Sequence, residues 1–144
     1  MSYSGYLYAI GAAVTWGLVY TIDQRILRGA SPFALLFVDS LITTLLLVPV
    51  IVLDRGSLSS LSTISGKLWI YVVVSLILAA LANLFIFSSI RIIGAAPASF
   101  FEIAYPFFVV IFSYFAFQAA PSALFVIGGI LIFVGAALIV FFAH

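Results

Sequence analysis

Apolar residues gather into five long runs along this chain, at 5–22, 32–53, 69–90, 95–117 and 122–142, with short polar interruptions between them. A helix crossing a ~30 Å hydrocarbon core needs about 20 mostly apolar residues, and each run is near that length. Lipid gives the backbone no hydrogen-bond partner, so a span is either a helix or part of a closed barrel. Barrel strands alternate with a period of two over about 10 residues, whereas these runs are longer and uniformly apolar. The pattern predicts an all-α membrane protein of five transmembrane helices in a single domain, residues 1–144. The first run lacks a basic segment before it and a small-residue cleavage site behind it, so it reads as a membrane helix and not as a removable leader.

The interruptions predict connections at 23–31, 54–68, 91–94 and 118–121. Pro121 closes the last of these, a residue suited to a helix start. In 54–68, Leu58, Leu61 and Ile64 recur every third residue, a spacing that permits a short interfacial turn. Its serine content argues for a flexible loop instead, and a loop is the expectation.

Helices in lipid approach one another through small residues. Gly5, Ala9, Ala13 and Gly17 follow at intervals of four and form one stripe of the first helix. In the fifth, Gly128 and Gly135 repeat at seven, as do Gly129 and Ala136. These stripes are expected packing seams, within one chain or between two.

Composition agrees with the pattern. Only 6% of the 144 residues are charged and 67% are hydrophobic, whereas a soluble domain carries roughly a quarter charged residues. The basic residues divide almost evenly between the two sides of the bilayer. Arg25, Arg28 and Arg91 fall on one side; Arg55 and Lys67 fall on the other. Short cytoplasmic loops normally hold a clear Lys and Arg excess, and a three-to-two division is hardly a bias. Two readings stand: the chain inserts in both directions and pairs as an antiparallel dimer, or a weak bias or a partner chain fixes one orientation. Transporters often place their substrate site between inverted repeats, and an odd number of spans suits that arrangement, which favours the paired reading.

An ionisable group inside a span is costly and is by default a functional candidate. Asp39 lies seven residues beyond Pro32, and Glu102 seven beyond Ala95. Each is therefore about 10 Å inside the same face of the membrane. Glu102 is the sharper candidate. Tyr105 and Pro106 follow it at three and four residues, and Pro106 leaves the Glu102 carbonyl without its helical donor and is expected to kink the helix. Carboxyl groups in apolar surroundings favour their neutral form, which suits proton exchange. Glu102 is thus a candidate to bind a proton or a cationic substrate in alternation, and the competing reading is an ion pair with Arg91. Asp39, with Ser40, Thr43 and Thr44 nearby, either lines the same cavity or belongs to a local polar network. Ser75, Ala79 and Asn83 make a narrow stripe on the third helix, and Asn83 either meets substrate or joins helices. Trp16 and Tyr20, four apart, form an aromatic wall, or Tyr20 anchors the membrane interface.

Other chemistry is excluded by what the chain lacks. There is no cysteine, and the single histidine is His144 at the end. With no acidic cluster and no phosphate-cradling glycine loop, no metal site, cofactor or catalytic set is expected. An intramembrane protease built on Asp39 and Glu102 fails because neither sits in a Gly-Asp motif. Five scattered basic residues make no stripe for nucleic acid. The expected partners are the lipid bilayer, a small-molecule substrate and a second half-transporter, most simply an antiparallel homodimer.

The segments VTWGLVYTIDQRILRGASPFALLF and ALANLFIFSSIRIIGAAPASFFEIAYPFFVVIFSYFAF, followed by LFVIGGILIFVGAALIVFF, resemble in order and spacing one repeat of the EamA-type drug/metabolite transporters. The resemblance covers nearly the whole chain and includes Trp16-Gly17, Ser31-Pro32, Glu102 and Tyr105-Pro106. It implies a repeat that pairs with an inverted copy around a central cavity, and export or exchange of small metabolites or drug-like solutes across a plasma membrane of the prokaryotic kind. Many members carry a Gly-Glu pair after the fourth helix. Here the chain reads Phe117-Gln118-Ala119-Ala120, so any role of that glutamate is absent. The family's cytoplasmic N-terminus is likewise not supported by the arginine positions.

Overall fold

The computed structural model describes residues 3–118 and 120–142, without the side chains of Tyr3, Arg55, Ser57, Ser60, Val140 and Phe141. His144, Ala119 and the Arg55 side chain, named above, lie outside the described residues. All regular structure among these residues is helical: α1 (Tyr3–Ile26), α2 (Pro32–Leu53), α3 (Arg55–Ser62), α4 (Gly66–Ile93), α5 (Ala95–Glu102), α6 (Tyr105–Phe117) and α7 (Ala123–Phe142). Four spans, Ser4–Ile26, Pro32–Leu53, Gly66–Ile93 and Ala95–Phe117, are long and apolar enough to cross a membrane, and α7 adds a further apolar helix.

Three differences from the pattern have plain causes. The segment expected to be a flexible loop contains α3, in which two serines bond to their own turns: Ser59 donates to the Gly56 carbonyl and Ser62 to that of Ser59. Leu58 and Leu61 stay exposed, as an interfacial helix requires. Second, α4 runs through Arg91 to Ile93, so Gly94 alone joins it to α5. Gly94 has φ 91° and ψ 163°, a conformation that needs a residue without Cβ. Third, the expected kinked fourth helix is two helices with Ile103 and Ala104 between them. Pro106 cannot donate to the Glu102 carbonyl and its ring crowds that position, so the helix stops at Glu102 and restarts at Tyr105.

The chain divides into two compact units, residues 1–24 with 89–144, and residues 25–88. In the first, α5 packs on α7 and α6 also meets α7. Ala95 and Ala98 on α5 and Ala136 on α7 are buried, and such small side chains allow close helix approach. A Cβ added at Gly128, Gly129 or Gly135 would meet nothing within 4 Å. Ala136 is the buried contact of this seam, and Gly128, Gly129 and Gly135 are half-buried with open space where a Cβ would stand. Gly5, Ala9, Ala13 and Gly17 are exposed along α1. In the second unit, the Ser31 hydroxyl accepts from the Ala34 N–H at 3.1 Å and Pro32 opens α2, a standard N-terminal cap. The α3 helix follows α2 directly after Asp54 and contacts it.

Candidate functional site

The site is built on α1 and the C-terminal end of α5, both in the first unit. Trp16, Tyr20 and Asp23 follow one face of α1 at i, i+4 and i+7, the periodicity of one helical stripe. Trp16 is half exposed, whereas Tyr20 and Asp23 are 8% and 7% exposed. The two rings stand 5.5 Å apart, centroid to centroid, and are tilted by 49°, within the range of a favourable aromatic pair.

The Tyr20 hydroxyl donates to Glu102 Oε1 at 2.8 Å. Glu102 is half buried and is the last residue of α5. The carbonyl end of a helix carries partial negative charge and favours a cation. The helix break thus brings together a carboxylate, an aromatic pair and the negative end of a short helix. That arrangement suits a proton or a positively charged group, attracted by charge on one side and by ring faces on the other.

The candidate residues do not all converge there. Trp16, Tyr20 and Glu102 meet directly, and Tyr105 and Asp23 lie within electrostatic reach of Tyr20. Tyr105 is nonetheless mostly exposed. Asp39 and Asn83 belong to the other unit, where Asp39 is exposed and Asn83 is half buried. Tyr20 is buried and bonded to Glu102. Glu102 is held by Tyr20 and forms no ion pair with Arg91, which is exposed.

Gln24 and Asp23 escaped the sequence pattern because they follow the first apolar run and read as a connection. The helix continues through them to Ile26. The available signal was the face itself, since Leu27, fully buried, extends the stripe of Trp16, Tyr20 and Asp23 by one more turn. Gln24 Oε1 accepts the backbone N–H of Ala95 at 2.7 Å.

Along residues 3–141 the sequence matches the EamA-like transporter family. The chain belongs to that family. No curated protein and no solved structure matches it. The EamA-like chain is a multi-pass helical membrane protein and a membrane transporter of small solutes, in a family of transporters and not of enzymes. In this EamA-like protein, the Glu102-Ile103-Ala104-Tyr105-Pro106 segment combines the one acidic side chain of α5 with the interruption of its span. Among the described residues no cluster of His, Cys, Asp or Glu could hold a metal ion.

Proposed function

We propose that the chain is a half-size secondary transporter that works as an antiparallel dimer, coupling export or exchange of a small metabolite or drug-like solute to protonation of Glu102. The observation that carries this reading is the 2.8 Å hydrogen bond from Tyr20 to Glu102 at the break between α5 and α6. A carboxyl that trades a hydroxyl donor for a proton or a cation has two well-defined states, which alternating access requires. Discontinuous spans near the substrate site are a recurring device of such transporters. Trp16, Tyr20 and Tyr105 supply the aromatic surroundings. Asp39 and Asn83 remain candidates for the cavity wall. The exposed stripe of Gly5, Ala9, Ala13 and Gly17 and the half-buried Gly128 and Gly135 are the proposed seams for a second copy.

The test uses purified protein in proteoliposomes containing a trapped pH-sensitive dye. Solutes from a panel of amino acids, sugars and lipophilic amines are added outside, and proton movement is read. Solute-driven proton flux that is lost in Glu102→Gln supports the reading. Solute flux that is unchanged in that variant defeats it.

One observation favours a second reading, a flippase for lipids or lipid-linked molecules. An apolar cleft of about 310 Å³ lies between α6 and α7, lined by Pro106, Phe107, Val110, Phe125, Gly128 and Ile132. It begins at the same helix break. Movement of a fluorescent phospholipid between leaflets in the same vesicles, with no solute flux, would favour it. Flux that appears only on adding a second membrane protein would instead point to a subunit role.

A further inference from the structure

The N-terminus of α5 is capped from another helix. Its cap residue, Gly94, has no side chain to offer, and a helix start leaves backbone N–H groups without intrahelical partners. Pro97 has no N–H, and the Ala98 N–H reaches the Gly94 carbonyl at 3.2 Å. The Ala95 N–H is taken by Gln24 Oε1 at 2.7 Å, and the Gln24 carboxamide also lies against Gly94, its Oε1 3.6 Å from where a Cβ would stand.

Gln24 and Tyr20 are one turn apart on α1, and they reach opposite ends of α5. Gln24 holds Ala95 at its start and Tyr20 holds Glu102 at its end. The order is reversed, so α1 and α5 run antiparallel here. The seven-residue step along α5 from Ala95 to Glu102 spans about 10 Å of helix. Two contacts at opposite ends set the height of α5 against α1, while α7 packs along it, so loss of one contact leaves the other to relax within the play that this packing allows.

We propose that Gln24 is a positioning residue for Glu102: by capping α5 from α1, it sets the height at which the Glu102 carboxylate meets the Tyr20 hydroxyl. It does not touch the exchanging group and acts through eight residues of helix. This inference rests on the reading of Glu102 as the exchanging carboxyl.

The experiment treats the full chain in vesicles with dicyclohexylcarbodiimide, which modifies carboxyl groups in apolar surroundings. The rate at Glu102 is read by peptide mass spectrometry, separately from Asp23, Asp39 and Asp54. Gln24→Met keeps the length and removes the acceptor. It is expected to raise the Glu102 rate by about three- to tenfold, the population change that one lost hydrogen bond produces, as Tyr20→Phe also does. The double variant should add little to Tyr20→Phe, since both changes break one linked contact. Gln24→Glu, which restores an acceptor at the same length, should return the wild-type rate. Should Gln24→Met fail to fold, Gln24→Asn, one methylene short of Ala95, replaces it with the same expectation.

A wild-type rate in Gln24→Met overturns the proposal, as does a full additive effect in the double variant or a Gln24→Glu rate as high as that of Gln24→Met. If proton flux depends on Glu102 while Gln24→Met behaves as wild type, the Gln24 inference alone falls. If Glu102 neither reacts in the wild type nor matters to flux, the transport reading falls and takes this inference with it.

Discussion

Tyr20 and Glu102, 82 residues apart in the chain, are joined by a 2.8 Å hydrogen bond in which the phenol donates and the carboxylate accepts. Tyr20→Phe removes that bond while keeping the ring against Trp16. Interhelical polar contacts in membranes average about 0.6 kcal/mol and reach about 1.7. A stability loss within that range is expected in detergent-denaturation curves, together with weaker proton coupling. Unchanged coupling in a variant that has lost this stability would separate the bond from transport.

Glu102→Gln keeps the shape of the side chain and can still accept from Tyr20. The protein is therefore expected to express and fold normally, with solute-driven proton flux falling about a hundredfold, the scale of losing a proton-transfer group. Loss of folding in this variant would assign Glu102 a structural role.

Gly94 and Gly135 make a matched pair. At φ 91° and ψ 163°, a side chain on residue 94 is strained, and Gly94→Ala should cost about 1–3 kcal/mol. Gly135 lies inside α7 with open space where its Cβ would go, so Gly135→Ala should be neutral or stabilise by up to about 1 kcal/mol. Thermal unfolding of both variants in the same detergent checks the contrast. A stable Gly94→Ala protein would mean that the α4–α5 connection relaxes to another conformation. If Gly135→Ala leaves the monomer stable yet weakens self-association, the Gly135 face of α7 is a contact between copies.

The absence of cysteine makes topology directly measurable. Ser59→Cys places a thiol on exposed α3. With an even division of basic residues, partial labelling by an impermeant reagent on intact cells is expected, completed only after permeabilisation. All-or-none labelling would exclude insertion in both directions and require an oppositely oriented partner chain.

The membrane spans were legible because lipid imposes a length and a composition on them. Glu102 and Pro106 were legible for the same reason: an acid and a proline inside an apolar run are rare enough to stand out. The place of Tyr20 was not, since an aromatic residue near the end of a span fits an interface anchor equally well, and its bond to Glu102 comes from 82 residues away. Gln24 was hidden by its place after the apolar run, where polarity reads as a loop. The α3 helix was hidden by its serines, which disfavour helix in isolation, although Ser59 and Ser62 here bond to their own turns. The helix break was expected as a kink, because the sequence shows that Pro106 withholds a donor but not how far the backbone yields.

The Ser and Thr hydroxyls of the two helices that carry the proposed site have a consequence for its selectivity. Thr15 and Thr21 donate to the Gly11 and Gly17 carbonyls on α1, and Ser99 donates to Ala96 on α5. On the proposed reading, a solute at Glu102 meets the rings of Trp16, Tyr20 and Tyr105 and the carboxylates of Glu102 and Asp23, while these three Ser and Thr hydroxyls are engaged with their own helices. Sites that recognise a ligand by its hydrogen-bonding pattern reject a near-isostere by four or five orders of magnitude, whereas sites that sense shape alone reach only about a hundredfold. Competition assays should therefore show analogues that differ by a single hydroxyl sharing the pathway within about that factor, so that size and charge, more than functional-group identity, decide what crosses.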